Sequence, residues 1–159
     1  LRNDTGETTQ LLSMSEGKAL ILEQCVSDQA IKVSGTVGMG VPCYSCAPGK
    51  SILAMLPQEE FDNYLEAVTI KSFTARTLHN RELLTADLDG VRECGYAIDK
   101  AEGLEGIHCV AASILDDYLY PVASITVIAP AFRLPAERFE VIGQACIKTA
   151  SNIREKLLK

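Results

Sequence analysis

Residues 38–56, GMGVPCYSCAPGKSILAML, hold three overlapping pieces of chemistry: a C-x-x-C made by Cys43 and Cys46, a G-K-S at 49–51, and the start of an apolar helical run. A phosphate loop of the form G-x-x-x-x-G-K-[ST] needs a glycine five positions before Gly49, because that turn brings backbone N–H groups around the phosphates. Tyr44 stands there, so a nucleotide reading fails on spacing. The thiol reading is better placed, since the C-x-x-C lies just before a helix and a helix N-terminus stabilises a thiolate. Redox motifs of this kind usually occupy a strand-to-helix turn of a βαβ unit, however, and nothing in the chain reads as parallel β-α-β. Zinc needs four ligands, and Cys109 and His108 would complete a site only if the fold brought them near. The bland alternative is a set of small, semi-apolar core cysteines. A third chemistry uses the helix start itself. Pro48 suits a first helical position, Ser45 or Cys46 the cap, and the N–H groups from Gly49 onward, at the positive end of the helix dipole, suit an anion. Its structural counterpart is a helix start satisfied by its own cap and water.

The elements that must position these residues follow from periodicity. TTQLLSMS (8–15) and ALILEQCV (19–26) are β-prone runs separated by EGK, a hairpin signal, and IKVSG (31–35) reads as a third short strand. Gly35, Gly38 and Gly40 mark a flexible connection. From Pro48 the pattern is helical, with Ile52, Leu53 and Leu56 on one side and Pro57 as the stop. PQEEFDNYLEAV (57–68) is a second helix, with Pro and acidic residues at its start and Phe61, Leu65 and Val68 inward. A third runs from about Asn80 to Cys94, with Gly95 as its C-terminal stop, and the intervening TIKSFTARTLH (69–79) reads as loop. YAID, GIHCVAASILDD and PVASITVIAP are strands, the last two nearly continuous in apolar and small residues, as in strands that are covered on both faces or line a cavity. From Pro135 a long helix carries Phe139, Ile142, Cys146, Ala150, Ile153 and Leu157 along one stripe. The order β-β-β-α-α-α-β-β-β-α predicts an α+β fold with a mostly antiparallel sheet.

At 159 residues the chain fits one domain with a full core, and 47% hydrophobic against 23% charged residues is the balance of a folded protein. No apolar run reaches membrane-spanning length and the N-terminus lacks a secretory signal, which predicts a cytoplasmic protein with no membrane partner. Most of the six cysteines sit in apolar runs and are expected to be reduced core residues. A net charge of −6 opposes a phosphate backbone, so the chain alone is not expected to bind duplex DNA. The opening at Leu1, without Met, reads as the exit from a preceding segment.

Five short motifs in register resemble the effector-binding domain of IclR-type bacterial transcription regulators, from about Thr5 to the last helix. They are Gly38 with Pro42, the small-residue stretch Ala47 to Ser51 ending in G-K-S, Gly95 to Asp99 (G-Y-x-x-D), Gly106 to Ala111 (G-x-x-C-V-A), and Ala129 to Arg133 (A-P-x-x-R). The resemblance implies a GAF-like antiparallel sheet flanked by helices, with a long C-terminal helix. It makes residues 1–159 a single effector-binding domain, with the family's N-terminal helix-turn-helix domain absent from this chain. By the same resemblance the effector pocket is built from Ala47, Pro48 and Gly49, then Asp99, Cys109 and Thr126, with an apolar wall including Ala30, Val41 and Ile107.

Departures from the family pattern bear on the ligand. Ile128 stands where relatives often carry a second hydroxyl, Pro48 removes a backbone donor, and the acidic pair after the Asp is reduced to Ala101-Glu102. The implied ligand is a small organic acid, a hydroxy- or keto-hydrate acid fitting best beside Asp99. The implied assembly is a homo-oligomer, dimer or tetramer, that meets DNA only through the missing domain. No cofactor or metal is implied. The rival from another class is a GAF-fold thiol enzyme, such as a free methionine sulfoxide reductase using Cys43 and Cys46. Such an enzyme requires a low-pKa attacking thiol with a resolving thiol in reach.

Overall fold

A computed structural model describes residues 1–157. After a short helix, α1 (Arg2–Thr5), the chain forms the hairpin β1 (Thr8–Ser15) and β2 (Lys18–Cys25), then β3 (Gly40–Pro42). Helices α2 (Ala47–Met55), α3 (Gln58–Ala67) and α4 (Arg81–Cys94) follow, then β4 (Ala97–Lys100), β5 (Ile107–Leu115), β6 (Pro121–Pro130) and α5 (Phe139–Leu157). The six strands make one curled sheet in the order β3-β2-β1-β6-β5-β4, every neighbouring pair antiparallel. This is the α+β, GAF-like arrangement expected.

Two expectations about the hairpin region need correction. The connection between β1 and β2 is the two residues Glu16 and Gly17, both at positive φ (50° and 74°), because Lys18 already pairs with Ser15. A primed two-residue turn has the twist that joins right-twisted strands. The run IKVSG is not a strand. Ile31 is 64% exposed, and the segment lies across the sheet instead of pairing in it. It is held there by Gln24, whose carboxamide donates to the Gly35 carbonyl at 2.7 Å and accepts from the Gly35 N–H at 3.2 Å. The third strand is the later Gly40–Pro42, on β2.

Strand alternation divides the core in two. Ser124, Thr126 and Ile128 of β6, with Cys109 and Ala111 of β5, face α2, while Ile125, Val127, Ala129, Val110 and Ala112 lie under α5. The helices start and stop for local reasons. The Asn80 side chain accepts from Leu83 N at 2.9 Å and caps α4, and Gly95, in the left-handed region, ends it. The A-P-x-x-R motif ends in a partly buried clamp, where Arg133 makes paired hydrogen bonds of 2.7 and 2.9 Å to the buried Glu7, tying the exit of β6 to the start of β1.

Candidate effector site

A cavity of about 310 Å3 lies between the α2 face of the sheet and the segment that crosses it. Its floor is Gln10 and Leu12 of β1, Ile21 of β2, Cys109 of β5, and Thr126 and Ile128 of β6. Ser45, Cys46 and Pro48 form the wall at the α2 start, Asp99 closes the β4 side, and Val33 to Gly35 with Met39 and Val41 form the cover. Gly103, Leu104 and Ile107 complete the rim. Of the residues named from sequence, Val41, Pro48, Asp99, Ile107, Cys109, Thr126 and Ile128 meet here. Three do not border the cavity. Ala47 and Gly49 are buried behind it, where a methyl group at Gly49 would overlap the Cys43 backbone, so this glycine lets α2 pack against the preceding turn. Ala30 is exposed, because the 26–32 stretch runs outside the sheet.

The start of α2 offers fewer anion donors than an open helix end. Pro48 has no N–H, and the Lys50 N–H is already bonded to Cys46 O at 2.9 Å. Neither Ser45 nor Cys46 caps the helix with its side chain: Ser45 Oγ donates to Pro42 O at 3.0 Å. The polar character of the cavity comes instead from the strands. Asp99 is 5% exposed and its Oδ1 accepts from the Glu102 N–H at 2.6 Å. Burial, aided by the Glu102 charge and opposed by that N–H and by Lys50, raises its carboxyl to about 7. Near neutral pH, therefore, Asp99 can donate a proton into the cavity. Thr126 is fully buried and its hydroxyl donates to Val110 O at 3.0 Å, which leaves the oxygen free to accept. Among the described residues the lining carries one carboxylate and no Lys, Arg or His.

The G-K-S proves to be a structural device. Lys50 is wholly buried and reaches both Glu102 oxygens at 2.8 Å and Asp87 at 3.0 Å. Burial alone would depress its ammonium; the Glu102 and Asp87 carboxylates outweigh that and hold it above its ordinary value. Ser51 Oγ donates to Pro48 O at 2.9 Å or pairs with Ser124 Oγ at 2.8 Å, riveting α2 to β6. Glu102, which the sequence left without a role, is thus the partner of Lys50, and its backbone N–H holds Asp99. The signal was one acid three residues after the Asp of G-Y-x-x-D.

The cysteines do not form a reactive centre. Burial raises the thiols of Cys43 and Cys109, and pushes those of Cys46 and Cys146 up to about 12. None is the low-pKa nucleophile that thiol catalysis needs. His108 and Cys109 fall on opposite faces of β5, His108 Nδ1 lying 2.8 Å from Leu134 O, and no group of three or more candidate metal ligands exists among the described residues. Titration of the native protein with a disulfide reagent should therefore show two fast thiols, Cys25 and Cys94, which are exposed, and release the other four only on unfolding.

Comparison with known proteins places this geometry. A family model described as the bacterial transcriptional regulator IclR C-terminal matches residues 1–155. The chain belongs to the IclR family. It is 31% identical over 153 residues to the HTH-type transcriptional repressor AllR of Klebsiella pneumoniae, covering 96% of this chain and 56% of that protein. It is 30% identical over 155 residues to the transcriptional repressor IclR of Escherichia coli strain K12, covering 96% and 57%. The crystal structure of the Thermotoga maritima IclR superposes with a TM-score of 0.92 at 34% identity, over 98% of this chain and 63% of that one. The chain thus spans a little over half the length of these IclR-family relatives, and its fold is that of their C-terminal part.

Proposed function

We propose that this chain is the effector-sensing and self-associating part of a cytoplasmic transcription regulator and not an enzyme. A small organic acid enters the cavity, and its binding shifts an equilibrium between assemblies, dimeric or tetrameric, that hold DNA-binding segments outside residues 1–159 at different spacings. The observation that carries the reading is Asp99, a carboxyl buried at the wall of an otherwise largely apolar cavity, where burial raises it above the usual carboxylate range. In its protonated form it donates a hydrogen bond to a ligand carboxylate, so the missing cation is not needed; an ionised Asp99 would repel the same ligand. A ligand hydroxyl donates to Thr126 Oγ1, and the side chain of Ile128 takes an apolar edge. Self-association follows from the two-fold partners that palindromic operators demand.

The test is calorimetric titration of the chain with a panel of small hydroxy and keto acids, repeated on Thr126→Val. At least one hydroxy acid should bind, and the loss of the acceptor should weaken it by about five- to tenfold while its deoxy analogue is unaffected. Sedimentation should show a species larger than a monomer whose distribution changes with that acid. A hydroxy acid that binds wild type and Thr126→Val equally refutes the assignment of the cavity.

A further inference from the structure

A second cleft, of about 220 Å3, shares no lining residue with the effector cavity and has the opposite chemistry. It opens where α2, the end of α4, β5 and the last turns of α5 meet. There β4 no longer covers β5, since their pairing stops at Ala97 and Ala111. Its charged lining is two guanidinium groups, Arg92 and Arg154, with no acidic side chain. Arg92 is oriented by a hydrogen bond from Nε to Ala54 O (2.7 Å) and by an ion pair from Nη1 to Asp89 (2.6 Å), which leaves its second terminal nitrogen unbonded among the described residues. Arg154 is half-buried and forms no ion pair among the described residues. Ser113 contributes a buried hydroxyl with no hydrogen-bond partner there. Met55, Val91 and Ile147 supply an apolar wall.

A buried hydroxyl left unpaired costs free energy unless something pairs with it, and the half-buried Arg154 guanidinium has no counter-ion among the described residues. The planar fork of arginine matches a carboxylate. We propose that this cleft is a second ligand site, for a small carboxylate with a short apolar body. Its head lies on Arg154 and the free nitrogen of Arg92, Ser113 Oγ completes its hydrogen bonds, and its body rests on the apolar wall. The two sites therefore select differently. The effector cavity holds an acid only through a protonated carboxyl, whereas this cleft holds one through fixed positive charge.

The experiment follows the amide and methyl resonances of the isotopically labelled chain during titration with sodium hexanoate, hexanamide or sodium sulfate, on wild type, Arg154→Gln and Ser113→Val. Hexanoate should shift Met55, Ile147 and Ala150 saturably. Hexanamide and sulfate should each bind at least about tenfold more weakly, and Arg154→Gln should weaken hexanoate by about tenfold while leaving the remaining resonances in place. Ser113→Val should weaken it less. The proposal is overturned if hexanoate shifts only residues of the effector cavity, such as Val41 and Ile107. It is equally overturned if hexanamide or sulfate matches hexanoate, or if Arg154→Gln binds as wild type does. Saturable shifts at Met55, Ile147 and Ala150 support the second site whether or not the effector cavity also binds an acid.

Discussion

Replacing Lys50 by Met should destabilise the chain by about 3–5 kcal/mol, the range for removing one partner of a buried ion pair. The ammonium has no exposure to water and is surrounded by two carboxylates, Glu102 at 2.8 Å and Asp87 at 3.0 Å. Without it Glu102 is left buried with no cation, while Asp87, partly exposed, can turn toward solvent. Glu102 already stands above its ordinary value because of burial, and losing Lys50 removes the group that opposes this. The double variant Lys50→Met with Glu102→Leu should recover much of the loss, since a well-packed apolar pair replaces a buried ion pair at little cost. Chemical denaturation of the three proteins measures both effects. A single variant within about 1 kcal/mol of wild type would contradict the description of Lys50 as the centre of a buried network.

Asp99→Asn should change the pH dependence of stability more than any other single substitution in the cavity. Burial raises this carboxyl from 3.8 to about 7 in the folded chain, so the folded state binds a proton that the unfolded state has already released over that interval. Its contribution is fully present below pH 4, declines as pH rises, and is lost above about 7. The span corresponds to roughly 4 kcal/mol. Asparagine keeps the acceptor for the Glu102 N–H and does not titrate. The difference in unfolding free energy between variant and wild type should therefore move in favour of the variant from pH 4 to pH 7 and then level off. A difference that is flat over this window would show that Asp99 is an ordinary carboxylate.

How much was legible beforehand depended on the distance over which a residue's role is decided. The strand at 121–130 and the helix after Pro135 are visible in their own periodicity, because each buries faces that a local pattern encodes. IKVSG misled for the same reason: Ile31 and Val33 are β-branched, yet the Gln24 clamp on Gly35 draws the segment over the cavity, and such a clamp leaves no trace in a hydropathy pattern. The register of motifs located seven of the ten named site residues around one cavity. It put Ala47 and Gly49 there too, although both are buried behind the cavity and Gly49 lets α2 approach the turn at Cys43, a backbone contact that residue types alone do not reveal. Lys50 is the clearest limit. Its partners lie 37 and 52 positions along the chain, so spacing could reject a phosphate loop at the G-K-S but could not supply the role that the fold gives Lys50 beside Asp87 and Glu102. Arg92 and Arg154 likewise line one cleft only because α4 and α5, on opposite faces of the sheet, both reach the end of β5 that β4 leaves uncovered.

The most direct test of the effector reading is proton uptake on binding. Titrating the tightest acid of the panel into the chain near pH 8, in buffers of different ionisation enthalpy, should show close to one proton taken up per ligand bound. Its affinity should fall by up to about tenfold per pH unit above 7, because only the protonated form of Asp99 can donate a hydrogen bond to the ligand carboxylate. In Asp99→Asn both the uptake and the pH dependence should vanish while binding persists. An acid that binds wild type with no proton uptake and with the same affinity at pH 6 and pH 8 would contradict the account.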